Sequence, residues 1–389
     1  MAPITEALFQ PPEIDPQEEA VMARIEEVRK TLSYATSSRR WTGVLAKMTL
    51  AKGIQGSNSI EGYNVTDDDA MAAVEREEML DADTETVAAL NGYRAAMSYV
   101  LQLSDDPHFS YSRGLIRSLH FIMVGYDLTK NPGKWRPGPI FVRNDNTGDR
   151  VYEGPGSERV NDLMHALVNN LNSTQAPPLV SAAMAHLNLV MIHPFSDGNG
   201  RMGRALQTLV LSRSGILAKE FCSIEEYLGR NRQPYYDVLA EVGAGAWHPE
   251  RDTRMWIRFC LTAHFRQAST LVRRARIIQK LWDSLEHLIK LKALPDRTIT
   301  VLAEAAMGYG VRNATYRKSA DISDTVASRD LKALTEAGLL MASGEKRGRR
   351  YSAAETLQKL GREAAANEPK RIEDPFESKD YLPGLAPLR

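Results

Sequence analysis

Apolar positions recur at helical spacing along most of the chain. Between 17 and 32, Val21, Ile25, Val28 and Leu32 return every three or four residues among Glu, Arg and Lys, which predicts an amphipathic helix. The same period predicts helices over 42–54 (Val44, Leu45, Met48, Leu50), 83–103, 113–123 (Leu115, Ile116, Leu119, Ile122) and 158–171 (Val160, Leu163, Met164, Leu167). The stretch 178–192 differs, because Leu179, Ala182, Ala183, Ala185, Leu187 and Val190 leave it almost no polar face. A helix apolar all round belongs at the centre of a bundle. Trp256, Phe259, Leu261 and Phe265 mark a closing helix that runs on through Arg273-Arg274-Ala275-Arg276, read as a solvated face.

Three regions break the period. Residues 1–16 are proline-rich and acidic, which predicts an extended or mobile tail. Residues 131–142 are rich in Pro and Gly and end in β-prone Ile140, Phe141 and Val142, which suggests a short edge hairpin or loop. From about 290 a helix at Ile299, Val301, Leu302 and Ala305 precedes another capped by Ser323 or Asp324. A strand-like run at 338–342, a basic glycine-bounded turn and a second run at 349–352 follow. That order resembles a winged helix-turn-helix. The end, 364–389, has no clear period and is expected to be loosely ordered.

Composition narrows the class. At 389 residues there is room for about two to three domains. Formal net charge is zero, so no chain-wide basic field draws the protein to nucleic acid or a membrane surface. Cys222 and Cys260 both fall in apolar patterns and read as buried thiols of a reducing compartment. Neither a leader segment nor a membrane-length apolar run stands out, and the chain reads as cytoplasmic.

The chemistry concentrates in His193-Pro194-Phe195-Ser196-Asp197-Gly198-Asn199-Gly200-Arg201-Met202-Gly203-Arg204. Pro194 ends the preceding helix, and a new helix beginning near Gly200 points its unpaired N–H groups into the turn, which makes an anion site. Arg201 and Arg204 sit three apart on the first turn, where guanidiniums can fork onto phosphate oxygens. Two arginines there work against the helix dipole, a cost that a bound polyanion offsets. Asp197 is a hard oxygen donor suited to Mg²⁺, and His193 takes a proton near neutral pH. A base, a magnesium carboxylate, an amide nest and two phosphate clamps suit phosphoryl or nucleotidyl transfer.

These residues resemble the Fic family signature His-Pro-Phe-x-Asp/Glu-Gly-Asn-Gly-Arg-x-x-Arg at every specified position. The resemblance implies a mainly α Fic-type helical bundle with a short β-hairpin flap; the C-terminal winged helix-turn-helix read above would follow it. It implies transfer of AMP from ATP to a Ser, Thr or Tyr hydroxyl of a target protein, with self-modification as one option. His193 would be the base and Asp197 the Mg²⁺ ligand; Gly198, Asn199, Gly200, Arg201 and Arg204 would hold phosphates. Ser57-x-x-x-Glu61-Gly62 resembles the family's inhibitory motif, whose glutamate pairs with the last signature arginine, here Arg204. Ile140, Phe141 and Val142 resemble the target-pairing flap. Tyr235 and Tyr236 resemble a base-bordering pair, although Gly243 stands where some members carry asparagine. The expected division is 1–79 with the inhibitory motif, a catalytic core over 80–270, a linker helix and winged helix over 271–363, and a tail over 364–389.

Other readings are open at this stage. His120 reads as a packing histidine. A His186–His193 zinc site lacks His-Glu-x-x-His spacing. From Gly308 to Tyr351 there are nine Lys/Arg and five Asp/Glu, so the wing (Lys346, Arg347, Arg349, Arg350) suits phosphate contact, protein docking or dimerisation. The alternatives are a DNA-binding regulator whose core senses nucleotide, and an enzyme using another nucleotide donor. A homodimer is compatible with either.

Overall fold

The computed structural model describes residues 8–37, 39–143, 148–215, 218–345, 348–369 and 371–377. Its helices in chain order are α1 (Pro16–Thr36), α2 (Thr42–Ile60), α3 (Asp67–Glu75), α4 (Thr84–Leu103), α5 (Arg113–Val124), α6 (Val160–Ser173), α7 (Pro178–Ile192) and α8 (Asn199–Ser212). They continue as α9 (Glu225–Arg230), α10 (Arg232–Gly243), α11 (Arg254–Leu291), α12 (Ile299–Ala306), α13 (Asn313–Ser319), α14 (Asp324–Glu336) and α15 (Glu355–Ala365). Strands β1 (Phe141–Arg143) and β2 (Arg150–Glu153) form one antiparallel hairpin, β3 (Leu340–Ser343) and β4 (Arg350–Ala353) another. Local caps explain several starts: Thr66, Asp83 and Ser323 each accept a backbone N–H from three residues on, satisfying donors the helix itself leaves free.

The centre is α7, packed on α8, α6 and α11. Leu187, Leu189 and Ile192 are fully buried, each contributing about 1.5–3 kcal/mol. That burial more than offsets the roughly 1–3 kcal/mol of strain at the next residue, His193, whose φ of 52° and ψ of 57° are left-handed. The bundle thus carries a strained histidine at the rigid end of its most buried helix.

Four expectations meet a different structure. The described part of the N-terminal tail is extended but anchored: Phe9 is buried, and its N–H donates to Asn188 Oδ1 at 2.9 Å. Arg273-Arg274-Ala275-Arg276 is no solvated face, since Arg274 pairs with the buried Glu226 and Arg273 donates to the Pro369 carbonyl. At the other end, α15 runs to Ala365, and beyond it Asp374 pairs with Arg266 while Arg24 donates to the Pro375 carbonyl. The described residues of 364–377 are therefore held, and 1–7, 370 and 378–389 lie outside the described residues. The boundary expected between 270 and 271 falls inside the continuous 38-residue α11.

Residues 299–365 fold as three helices, a hairpin and a last helix, with Val311 bridged to Tyr351 on the far edge of β4. This unit sits against α2 and α3. Lys47 of α2 lies between Glu75 (2.7 Å) and Glu304 (2.6 Å), and Asp68 of α3 accepts the Gly310 N–H at 2.7 Å. Arg350 turns inward to Asp81 (3.2 Å) and Asp68 (3.5 Å). It is committed to protein carboxylates, not offered to solvent as the basic wing would require; Lys346 and Arg347 lie outside the described residues.

Candidate active site

The His193 side chain is partly exposed at the end of α7. Its Nδ1 lies 3.0 Å from the Val190 carbonyl. A carbonyl only accepts, so Nδ1 carries the hydrogen and Nε2 is left with its lone pair. Burial disfavours the imidazolium and lowers the pKa below its usual 6.5, with the Arg136 guanidinium acting the same way; the Val190 bond and the Glu61 and Asp197 carboxylates oppose them. The ring is a neutral base at pH 7.

The loop after it is braced from within. Asn199 accepts the Phe195 N–H at 2.9 Å and donates to the Phe195 carbonyl at 2.8 Å, so its side chain staples the turn while its main-chain N–H faces the loop. Gly198 caps α8 with φ of 77° and no side-chain cap bond, and the first intrahelical bond runs from Met202 N–H to the Gly198 carbonyl. The N–H groups of Asn199, Gly200 and Arg201 therefore lack helical acceptors. Arg201 and Arg204 are each 1% exposed, yet Arg201 Nε and Nη1 and Arg204 Nη1 find no hydrogen-bond partner among the described residues. Buried guanidinium N–H groups without acceptors are costly, and phosphate oxygens would satisfy them.

Asp197 Oδ1 accepts the Gly198 N–H at 2.6 Å, and its Oδ2 lies 3.0 Å from Lys130 Nζ and 3.8 Å from Arg201 Nη2. Burial would raise the carboxyl pKa; Arg201 and Lys130 outweigh it and hold the group ionised.

The segment 57–62 closes the site from above. Glu61 ends α2, and Gly62 follows at φ of 89°, a left-handed position that favours glycine. Gly62 N–H to Ser59 and Tyr63 N–H to Asn58 complete a Schellman turn. Ser57 Oγ and its carbonyl accept from Arg204 at 2.8 and 3.0 Å, and Glu61 Oε1 accepts from Arg204 Nη2 at 2.7 Å. A Cβ on Gly200 would lie 2.5 Å from Glu61 Oε1. The carboxylate thus lies against the first turn of α8 at Gly200.

The hairpin β1–β2 stands beside His193. Phe141 pairs with Glu153 and Val142 with Tyr152, while Ile140 precedes the strand and accepts the Gly154 N–H at 3.2 Å. The Tyr152 hydroxyl donates to the Met191 carbonyl at 2.8 Å, pinning the hairpin to the end of α7. Among the described residues β1 pairs only with β2, leaving its other edge unpaired.

The tyrosine pair divides. Tyr235 is 1% exposed, with its hydroxyl 2.9 Å from His186 Nε2, so its ring is committed to the core and does not face an open base pocket. Tyr236 is 36% exposed and donates to the Ile60 carbonyl at 3.0 Å, holding the end of α2. Gly243 packs against Tyr152 and Met191.

Three contributors were not read as site residues from the sequence. Arg136, 4% exposed, donates Nε to the His193 carbonyl at 2.8 Å and its N–H to the Pro194 carbonyl at 2.9 Å. His120 accepts the Gly133 N–H on Nδ1, donates Nε2–H to the Asp197 carbonyl at 2.9 Å and stacks on Phe195 at 3.7 Å. Lys130 is the third. His186 bonds Gln207 and Tyr235, and no group of three metal-ligating side chains occurs among the described residues.

A helical bundle with a neutral histidine at one helix end and unsatisfied buried guanidiniums at the next helix start defines an α-helical protein with a candidate anion site. Residues 110–211 match the Fic/DOC family model. These residues carry a Fic domain. It is 29% identical over 244 residues to the protein adenylyltransferase Fic of Aedes aegypti, covering 61% of this chain and 44% of that protein. With the Nematostella vectensis protein of the same name it shares 26% over 256 residues, covering 64% and 55%. The chain thus spans about half the length of these relatives. A Fic family protein from Desulfovibrio desulfuricans G20 superposes with a TM-score of 0.57 at 22% identity over 89% of this chain and 99% of that one. Fic-1 of C. elegans does so at 0.51 and 21%, over 64% and 72%. No described helix is long and apolar enough to cross a membrane.

Proposed function

We propose that the protein is an adenylyltransferase that moves AMP from ATP to a hydroxyl side chain of a target protein, itself among the candidates. The observation that carries this reading is the His193 tautomer: Nδ1–H is engaged by Val190, so Nε2 is free to accept a proton. Nε2 takes the proton of the target hydroxyl while that oxygen bonds to the α-phosphorus. The bond from the α-phosphorus to the bridging oxygen breaks, and pyrophosphate leaves with the electron pair. The N–H groups of Asn199, Gly200 and Arg201, with the Arg201 and Arg204 guanidiniums, would hold the phosphates, while the Gly198 N–H is engaged by Asp197. The spot beside Asp197 Oδ2 already carries a cation, the Lys130 ammonium, so the donor set fits a hard cation. Asp197 would hold Mg²⁺, which when bound neutralises phosphate charge. The names of the relatives support the same activity.

In this reading Glu61 restrains Arg204 by taking the guanidinium that should grip the terminal phosphate, and the free edge at Phe141 and Val142 would pair with an extended target segment. The test uses ATP labelled on the α- or the γ-phosphate, incubated with the Glu61→Gly protein and cell lysate. Protein-bound label from the α-position alone is expected. Label from γ instead would indicate phosphoryl transfer and refute the proposal; α-label competed only by another nucleotide would identify a different donor.

A second reading concerns residues 299–365, a helix, bridge, two helices and hairpin in the order of a winged helix. On α14, Ser328, Arg329 and Lys332 are exposed, while Ala327, Leu331 and Leu334 face the core, so one polar stripe is presented. DNA contact through that stripe predicts duplex binding that weakens steeply between 50 and 200 mM salt and is lost in Arg329→Ala/Lys332→Ala. Absence of binding at low salt excludes it.

A further inference from the structure

Lys130 ends a single helical turn, Leu128–Lys130, far in sequence from the signature loop. Its ammonium lies 3.0 Å from Asp197 Oδ2, 3.2 Å from the Tyr126 hydroxyl and 3.3 Å from the Tyr63 hydroxyl. The side chain is 16% exposed. Tyr63 follows Glu61-Gly62 directly; its hydroxyl donates to Glu85 at 3.1 Å, and the Arg201 guanidinium lies 5.5 Å over its ring. The segment carrying Glu61 therefore meets the catalytic loop twice, once through Glu61 and Arg204 and again through Tyr63, Lys130 and Asp197.

We infer that Lys130 is a built-in counter-ion of the metal carboxylate, and that with Tyr63 it forms a second latch on the inhibitory segment. The inference rests on Asp197 being the metal ligand. A divalent ion on Asp197 Oδ2 would bring two positive groups within a few ångströms, so the ion and the ammonium exclude each other. Mg²⁺ enters only as Lys130 swings away. Its departure removes the donor from the Tyr63 hydroxyl, leaving that hydroxyl its bond to the exposed Glu85. Metal entry and loosening of residues 62–66 are then one event. Lys130 does not touch the reacting atoms in this scheme; it is a positioning residue.

The test titrates Mn²⁺ alone into the full chain, reading free ion by electron paramagnetic resonance and backbone amides by hydrogen exchange. Lys130→Met should bind Mn²⁺ about 10-fold more tightly than wild type, from removal of a like charge near the ion. Lys130→Gln, which keeps a polar partner for Tyr63, should show a similar gain. Exchange at 62–66 should quicken with Mn²⁺ in wild type and be fast without it in Lys130→Met. Adding Asp197→Asn to Lys130→Met should abolish the gain. Unchanged or weaker affinity in both Lys130 variants overturns the inference. A gain that survives Asp197→Asn removes instead the assignment of Asp197 as the ligand, and the latch with it.

Discussion

Replacing Glu61 by glycine is expected to raise AMP transfer about 10- to 100-fold. The Glu61–Arg204 contact is a charge-assisted bond at 2.7 Å to a guanidinium that is 1% exposed. Such bonds contribute about 1.5–3 kcal/mol, and about 1.4 kcal/mol is one decade in an equilibrium. Glycine at position 61 is compatible with the backbone there, φ of −88° and ψ of 8°, and Gly62 continues to close the helix. Ser57 still holds Arg204 by two bonds, through Nε and one N–H of Nη2, so the guanidinium stays in place while the N–H that Glu61 engaged is released for phosphate. Label incorporated from α-labelled ATP, wild type against variant, checks this. Equal rates would leave Glu61 as a helix-end residue without a restraining role.

The same substitution has a thermodynamic signature. Removing one member of a buried pair leaves the other charge uncompensated, which is costly. Burial works against the Arg204 charge, and Glu61 more than compensates, raising the guanidinium pKa. Without Glu61 the unliganded variant should melt below wild type, and ATP should raise its Tm more than it raises that of wild type, because phosphate oxygens replace the lost carboxylate.

The parts of the site legible in the sequence are those encoded by neighbours. The turn from α7 into α8 and the cap at Ser323 each depend on residues within a few positions, so spacing reveals them. What spacing hides is partnership across the chain. Arg136 reaches His193 57 residues on, Lys130 reaches Asp197 67 residues on, and His120 reaches the Asp197 carbonyl over 77. No periodic signal links such pairs. His120 reads as a packing histidine, and both its nitrogens are indeed bonded; the acceptor of Nε2–H is in the signature loop.

The same blindness explains the charged segments. Arg273-Arg274-Ala275-Arg276 looks solvated because its partner Glu226 lies 48 residues away, and Arg350 looks like a phosphate contact until Asp68 and Asp81 are brought beside it. Short anchors fail for another reason: Phe9 is one buried ring in a proline-rich run, with no period to announce it.

Replacing His193 by alanine should lower transfer by about 10²–10⁴-fold, the usual contribution of a positioned base, with little change in ATP affinity. In the proposed scheme no phosphate contact runs through the imidazole, whose Nδ1 is bound to Val190. Loss of the ring also leaves the left-handed backbone in place, since Arg136 holds the carbonyl of residue 193 and alanine tolerates that conformation at modest strain. The sign of the pH dependence follows from the lowered pKa. The base works when neutral, and the folded value lies below 6.5. Transfer by the Glu61→Gly protein should therefore stay level as pH falls through 6.5 and decline only below that lowered value. The residual rate of the Glu61→Gly/His193→Ala protein should lack that decline. An acid limb centred at or above 6.5, or one that persists without the imidazole, would show that another group carries the proton.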